Sequence, residues 1–240
     1  MKRFLLIAAA LFAFIPSAFA QEDDGSVLEG NPLTLYTSPS GIFSVDIFSH
    51  IGFGAHIIRS DDFAPKPFSS YEFFLNVFKL TMYPLDFVGV EIGGDLEFNW
   101  VGSRENFFYT LDDRTIQVGK FVDIAGSSVD RQRGKVDIFG INFPAMLKFK
   151  FGNFRIGGGA QAMLNFNGGT QYEYRQGNKR TLVTYKGAEV NLFSYAFIGM
   201  ISYYNIGFYF QYYPSKVNLF TDTPGTPKMG LMTAGIAFGF

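Results

Sequence analysis

The chain has 240 residues with 20 Lys and Arg against 21 Asp and Glu, a formal charge of −1, so no basic excess points to nucleic acid. It carries 30 Phe, 13 Tyr and 27 Gly but no Cys, which excludes disulfide staples, thiolate metal sites and a lipid-modified N-terminal cysteine. Abundant Phe, Tyr and Gly suit a wall of strands that turns tightly and faces lipid.

Met1-Lys2-Arg3 is a short basic start, and Phe4 to Ile15 is an apolar stretch too short for the ~20 residues of a spanning helix. Ser17-Ala18-Phe19-Ala20 supplies a small-x-small cleavage pattern, so residues 1–20 read as a signal peptide cut between Ala20 and Gln21. Residues 21–41 begin Gln21-Glu22-Asp23-Asp24 and read as a flexible, acidic periplasmic lead-in. No later segment is apolar enough for a transmembrane helix, so a membrane role for residues 42–240 rests on strands.

Alternation with period two marks those strands. Phe43, Val45, Ile47, Ile51 and Phe53 share one face, with Ser44, Asp46 and His50 on the other. Between Phe87 and Val101, Val88, Val90, Ile92, Leu96, Phe98 and Trp100 oppose Glu91, Asp95, Glu97 and Asn99. The spacing predicts eight strands, near Ile42–Gly54, Ser70–Met82, Phe87–Val101, Lys135–Phe151, Phe154–Phe166, Glu189–Tyr203, Asn205–Tyr213 and Lys228–Phe240. Nearly all reach the ~9–11 residues of a tilted membrane strand. Connections after the second, fourth and sixth are short, and the others are long and polar. Short turns at one end and long loops at the other predict an all-β, eight-stranded antiparallel up-and-down transmembrane β-barrel, with turns periplasmic. Ten strands is the alternative if the hairpin read at 106–121, with Asp112-Asp113 at its tip, joins the wall. A second hairpin is signalled at Gly177-Asn178.

In the second strand, alternation carried through from Tyr71 puts Lys79 outward unless a bulge resets the face. Pro144 lacks a ladder donor and predicts a local bulge in the fourth strand. The sixth strand is apolar on both faces and has no readable parity. The final strand ends Thr233-Ala234-Gly235-Ile236-Ala237-Phe238-Gly239-Phe240, where Thr233, Gly235, Phe238 and Phe240 fit a C-terminal signal for barrel-assembly machinery.

The fourth and fifth strands, Ile141-Asn142-Phe143-Pro144-Ala145-Met146-Leu147-Lys148-Phe149-Lys150-Phe151 followed by Phe154-Arg155-Ile156-Gly157-Gly158-Gly159-Ala160, resemble the strand–turn–strand segment of the outer-membrane β-barrel domain family that includes PorT-like proteins. Met146 and Ala145 depart from its leucine-rich form. The resemblance implies a barrel in a Gram-negative outer membrane and little about activity.

Asp46, Glu91, Asp95, Glu97, Lys148 and Arg155 are the expected polar network of the lumen. Glu91 and Lys148 stand at similar height on adjacent strands and are expected to pair. Strict alternation sends Ser49 and His50 to opposite faces, so they are not expected to meet, and no catalytic residue, cofactor or metal is predicted. The expected partners are outer-membrane lipid, the assembly machinery and an envelope protein met through the loops. A transport component, either a narrow pore or an accessory subunit of a secretion complex, is the second reading. A lipid-modifying enzyme is the third.

Overall fold

A computed structural model describes residues 34–38, 42–59, 70–103, 106–125, 130–214, 220 and 230–239. The proposed cleavage site at Ala20 and Gln21, and Phe240 of the C-terminal signal, lie outside them.

The described chain is almost entirely antiparallel β. In order it runs β1 (Thr34–Thr37), β2 (Phe43–Ile47), β3 (Ile51–Arg59), β4 (Tyr71–Leu85), β5 (Val88–Gly102), β6 (Phe107–Asp112), β7 (Thr115–Lys120), α1 (Phe121–Ala125), β8 (Asp130–Phe151), β9 (Phe154–Gln176), β10 (Lys179–Ala188), β11 (Phe193–Tyr203), β12 (Ile206–Tyr213) and β13 (Gly230–Phe238). Backbone pairing passes from β3 through β4, β5, β8, β9, β11, β12 and β13 and returns to β3, so the ladder closes on itself. Closure leaves no exposed edge in that circuit. The connections at one end are Asp86–Phe87, Gly152–Asn153 and Tyr204–Asn205, with Gly152 (φ 61°) and Tyr204 (φ 51°) in the left-handed region that tight hairpin turns use.

The first predicted strand is broken in two. Phe48 takes φ 48°, and β2 and β3 pair separately with the lower and upper parts of β4. β1 pairs with the other edge of β2, so the lead-in read as flexible to Gly41 contains an ordered strand.

Of the register shifts in these ladders, two in the middle of the wall reset the faces of the sheet. Asn76 opposes Asp95 while Phe78 opposes Gly94, leaving Val77 as an extra residue on β4. Below it the inward face switches from even to odd positions, and Lys79 and Thr81 turn inward, each 6% exposed. The second bulge leaves Phe166 unpaired between partners Asn165 and Asn167. No bulge forms at Pro144, contrary to the sequence expectation. The register from Ile92–Ala145 to Asp95–Asn142 is continuous, and the Pro144 ring lies over Gly93, where no side chain competes for space. The parity of the sixth predicted strand is resolved in β11, with Ser194, Ala196, Met200 and Ser202 buried and Phe193, Tyr195, Phe197, Ile201 and Tyr203 exposed.

Gly159 marks the closest approach within the wall. A Cβ there would collide with the Ala145 carbonyl oxygen and lie 2.8 Å from Met146 Cα. Backbone cannot rotate away as a flexible side chain would, so Gly159→Ala is expected to destabilise by about 1–3 kcal/mol, measured as a lowered urea midpoint.

The hairpin of β6 and β7 forms a sheet of its own. It folds inward at the loop end, burying Tyr109 and Ile116 completely against Val101, Val136, Ile138, Tyr213 and Leu231. Phe108 and Phe121 pack on Tyr172 at ring separations of 4.4 and 6.1 Å. The ribbon of β9 and β10 turns at Gly177–Asn178, with Gln176 opposite Lys179.

Candidate functional site

The polarity of the closed sheet is the reverse of a soluble core. Its outer face carries exposed Phe53, Ile57, Ile92, Phe143, Leu147, Phe197, Phe208 and Phe210. Its inner face buries Glu72, Asn76, Glu91, Asp95, Glu97, Asn142, Lys148, Gln161 and Gln211. On the outside, Phe53, Phe73, Phe98, Phe139 and Phe166 form an aromatic row across β3, β4, β5, β8 and β9, with successive centroids 4.9, 6.1, 4.9 and 6.4 Å apart. Tyr71 stacks on Trp100 at 4.8 Å one step toward the loops.

The lower interior, toward the short turns, is a mixed ionic layer. Lys148 Nζ donates to Glu91 Oε2 at 2.5 Å, with both side chains 4% exposed. Lys79 sits directly across the ladder from Asp46, and its Nζ is 3.3 Å from Asp46 Oδ2. Thr34 Oγ1 donates to the other oxygen of that carboxylate at 2.7 Å, so β1 completes the layer. Asp95 accepts from Asn76 Nδ2 at 2.7 Å. Arg155 is only half-buried near the turn of β8 and β9 and contributes to the rim of this layer. Buried charges persist only when paired and hydrogen-bonded, and the cross-strand pairs meet that condition.

Ser49 and His50 do meet, correcting the alternation reading. The turn at Phe48 removes both from regular strand, and both are buried. Ser49 Oγ lies 2.9 Å from His50 Nδ1 and 2.8 Å from Asn76 Oδ1. The His50 ring packs edge-on to Phe74 at 5.7 Å. A hydroxyl shared between an imidazole and an amide, in a side chain 3% exposed, ties the strand break to β4.

The upper interior is richer in acid. Glu72 and Glu97 are fully buried. Asn99 Nδ2 donates to Glu97 Oε1 at 2.5 Å, and Tyr213 Oη donates to Gln211 Oε1 at 2.8 Å with Glu97 Oε1 3.4 Å away. His56 Nδ1 lies 2.8 Å from Thr233 Oγ1 and 4.0 Å from Glu72 Oε2. Between the layers Phe74, Met146, Met200 and Tyr209 cluster across the interior. The inward hairpin then covers the loop end. Burial pushes the Tyr109 phenol well above its ordinary value.

Of the C-terminal residues singled out in the sequence, Thr233 faces inward and contacts His56. Gly235 lies beneath Tyr209, whose ring carbons would be 2.5 Å from a Cβ, and Phe238 is exposed on the outer face. Alternation puts Lys79 outward unless a bulge resets the face, and the bulge at Val77 does so; Phe78-Lys79-Leu80-Thr81-Met82 already shows the switched parity. Sequence reasoning missed the Ser49–His50 contact, which depends on one backbone angle that no residue pattern announces.

No family model matches the sequence, and no curated protein matches it. Among solved structures, the chain is similar to Ail, the attachment invasion locus protein of Yersinia pestis, with TM-score 0.34 and 12% identity over 82% of this chain and 97% of that one. It is also similar to Neisserial surface protein A, with TM-score 0.33, 12% identity and the same two coverages.

Proposed function

We propose that this chain is an eight-stranded transmembrane β-barrel of a Gram-negative outer membrane, exported behind residues 1–20, with an interaction role carried by its loop-side elements and no catalysis. The observation that carries the reading is the inverted polarity of a closed sheet. Side chains that would form a soluble core point outward, and polar and charged side chains fill much of the inside. A closed antiparallel sheet satisfies every backbone group within itself, as a lipid environment demands. An aromatic row on the outer face suits the girdle at a membrane interface. The likeness of strands β8 and β9 to the PorT-like group agrees with this reading.

The interaction role draws on the ribbon. β10 pairs with β9 alone among the described strands, so its far edge offers backbone donors and acceptors to an extended segment of a partner protein. The interior cluster and the inward hairpin oppose the narrow-pore form of a transport role. Planar-bilayer recordings are expected to show no porin-sized conductance, as suits an eight-stranded wall whose lumen is filled by side chains.

Membrane fractionation combined with gel mobility of unboiled and boiled protein tests the reading. An outer-membrane band that shifts on boiling is expected. A soluble band with no shift would overturn it.

A further inference from the structure

The outer face of the loop-side ribbon carries a basic groove that the interaction role does not use. On β9 and β10 the side chains alternate about the sheet, and Tyr172, Tyr174, Val183 and Tyr185 pack toward the inward hairpin. The opposite face therefore presents Glu173 and Arg175 from β9 and Arg180 from β10, and Arg133 of β8 is the ladder partner of Glu173. These four, with Asn178 at the turn, line a half-open cavity of about 390 Å³.

Its lining is unbalanced in charge, with three arginines against the single carboxylate of Glu173. Arg175 and Arg180 stand directly opposite each other across the ladder, where like charges destabilise a strand pair. Glu173 is engaged by Arg180, with Oε2 2.7 Å from Nη2. Arg175 donates from Nε to the Gly177 carbonyl at 3.0 Å, an anchor that holds its guanidinium in place beside the cavity. On the other side Arg175 has Asp130 as its backbone partner. Three planar guanidinium forks around one cavity match the bidentate geometry of phosphate oxygens.

Position narrows the ligand. The groove lies on the same outer face as Phe139 and the Lys135–Asp137 pair, whose Nζ and Oδ1 are 3.0 Å apart. Arg133 is six residues beyond Phe139, about 20 Å along a strand at ~3.3 Å per residue. That places the groove roughly 15 Å above the aromatic row for a strand tilted about 40°. A groove on the outward face at that height would stand beside the lipid headgroups rather than within the hydrocarbon layer. We propose that Arg133, Arg175 and Arg180 form a binding site for a phosphorylated saccharide of the glycolipid standing beside the barrel in the outer leaflet. The proposal rests on the outer-membrane reading above.

The test uses the full folded chain in detergent, with lipopolysaccharide, the same lipopolysaccharide after chemical dephosphorylation, and inorganic phosphate as probes. The expected result is binding of the phosphorylated glycolipid that weakens at least tenfold in the Arg175→Ala/Arg180→Ala variant and on dephosphorylation. Lys120→Ala, which removes one exposed positive charge elsewhere, is expected to bind like the parent. Equal affinity of parent and double variant would overturn the site, as would an equal loss in Lys120→Ala. Inorganic phosphate binding as tightly as the glycolipid would overturn the saccharide assignment. Retention of the heat-dependent gel shift separates these outcomes from misfolding. A parent protein lacking the shift fails the membrane reading, whereas one that shifts but ignores phosphorylation fails this site alone.

Discussion

Lys148→Met is expected to lower unfolding stability by about 3 kcal/mol, because it strands the Glu91 carboxylate inside the closed sheet. Breaking a buried ion pair from one side costs roughly 3–5 kcal/mol. The low end applies because Lys79, in the same interior layer, also acts electrostatically on Glu91 and offsets part of the loss. Removing both partners in Glu91→Leu/Lys148→Met is expected to recover most of the stability, since two apolar side chains of similar volume leave no uncompensated charge. The urea midpoint of the folded, heat-shifting gel band reads both variants. A double variant as unstable as the single one would show that Glu91 is held mainly by partners other than Lys148.

Ile92→Arg is expected to destabilise by about 2–4 kcal/mol, and Leu85→Arg by no more than about 1 kcal/mol. Both side chains are exposed on the outer face, at 46% and 54%. Ile92 sits opposite Leu80 and Ala145 in the middle of the wall, while Leu85 ends β4 beside the short turn. In water both changes would fall within about 0.5 kcal/mol, as surface substitutions usually do. Dependence on depth is therefore the signature of lipid, and urea titration in phospholipid vesicles measures it. Equal small effects at the two positions would mean that the outer face is wetted.

Much of this architecture was legible residue by residue. Val88 to Trp100 alternates so cleanly that the faces of β5 follow from the pleat, because successive side chains must point to opposite sides. Gly152-Asn153 and Gly177-Asn178 announced turns through residues that tolerate positive φ. The meeting of Glu91 and Lys148 required only two facts, the parity of β5 and β8 and their distance from the short turns. For Lys79 alternation left two outcomes open, and only the register decided: one extra residue, Val77, resets the face, and alternation counted through a bulge inverts everything beyond it.

The hairpin at 106–121 shows the other limit. Its two strands and acidic tip were readable, but its direction was not. Tyr109 and Ile116 are buried only because Val101, Val136, Tyr213 and Leu231 converge on them from four other strands. Nothing within the hairpin distinguishes a protruding ribbon from an inward cover.

By itself the sequence determined where most strands of the wall begin and pair, which face of most is apolar and where tight turns fall, because period and turn chemistry are local properties of the backbone. Only the tertiary structure decided the break at Phe48 with its Ser49–His50 contact, the inward fold of the hairpin and the grouping of Arg133, Arg175 and Arg180. Each of these depends on segments distant in the chain arriving at one place, and their free energy exists only once the ladder has brought them together.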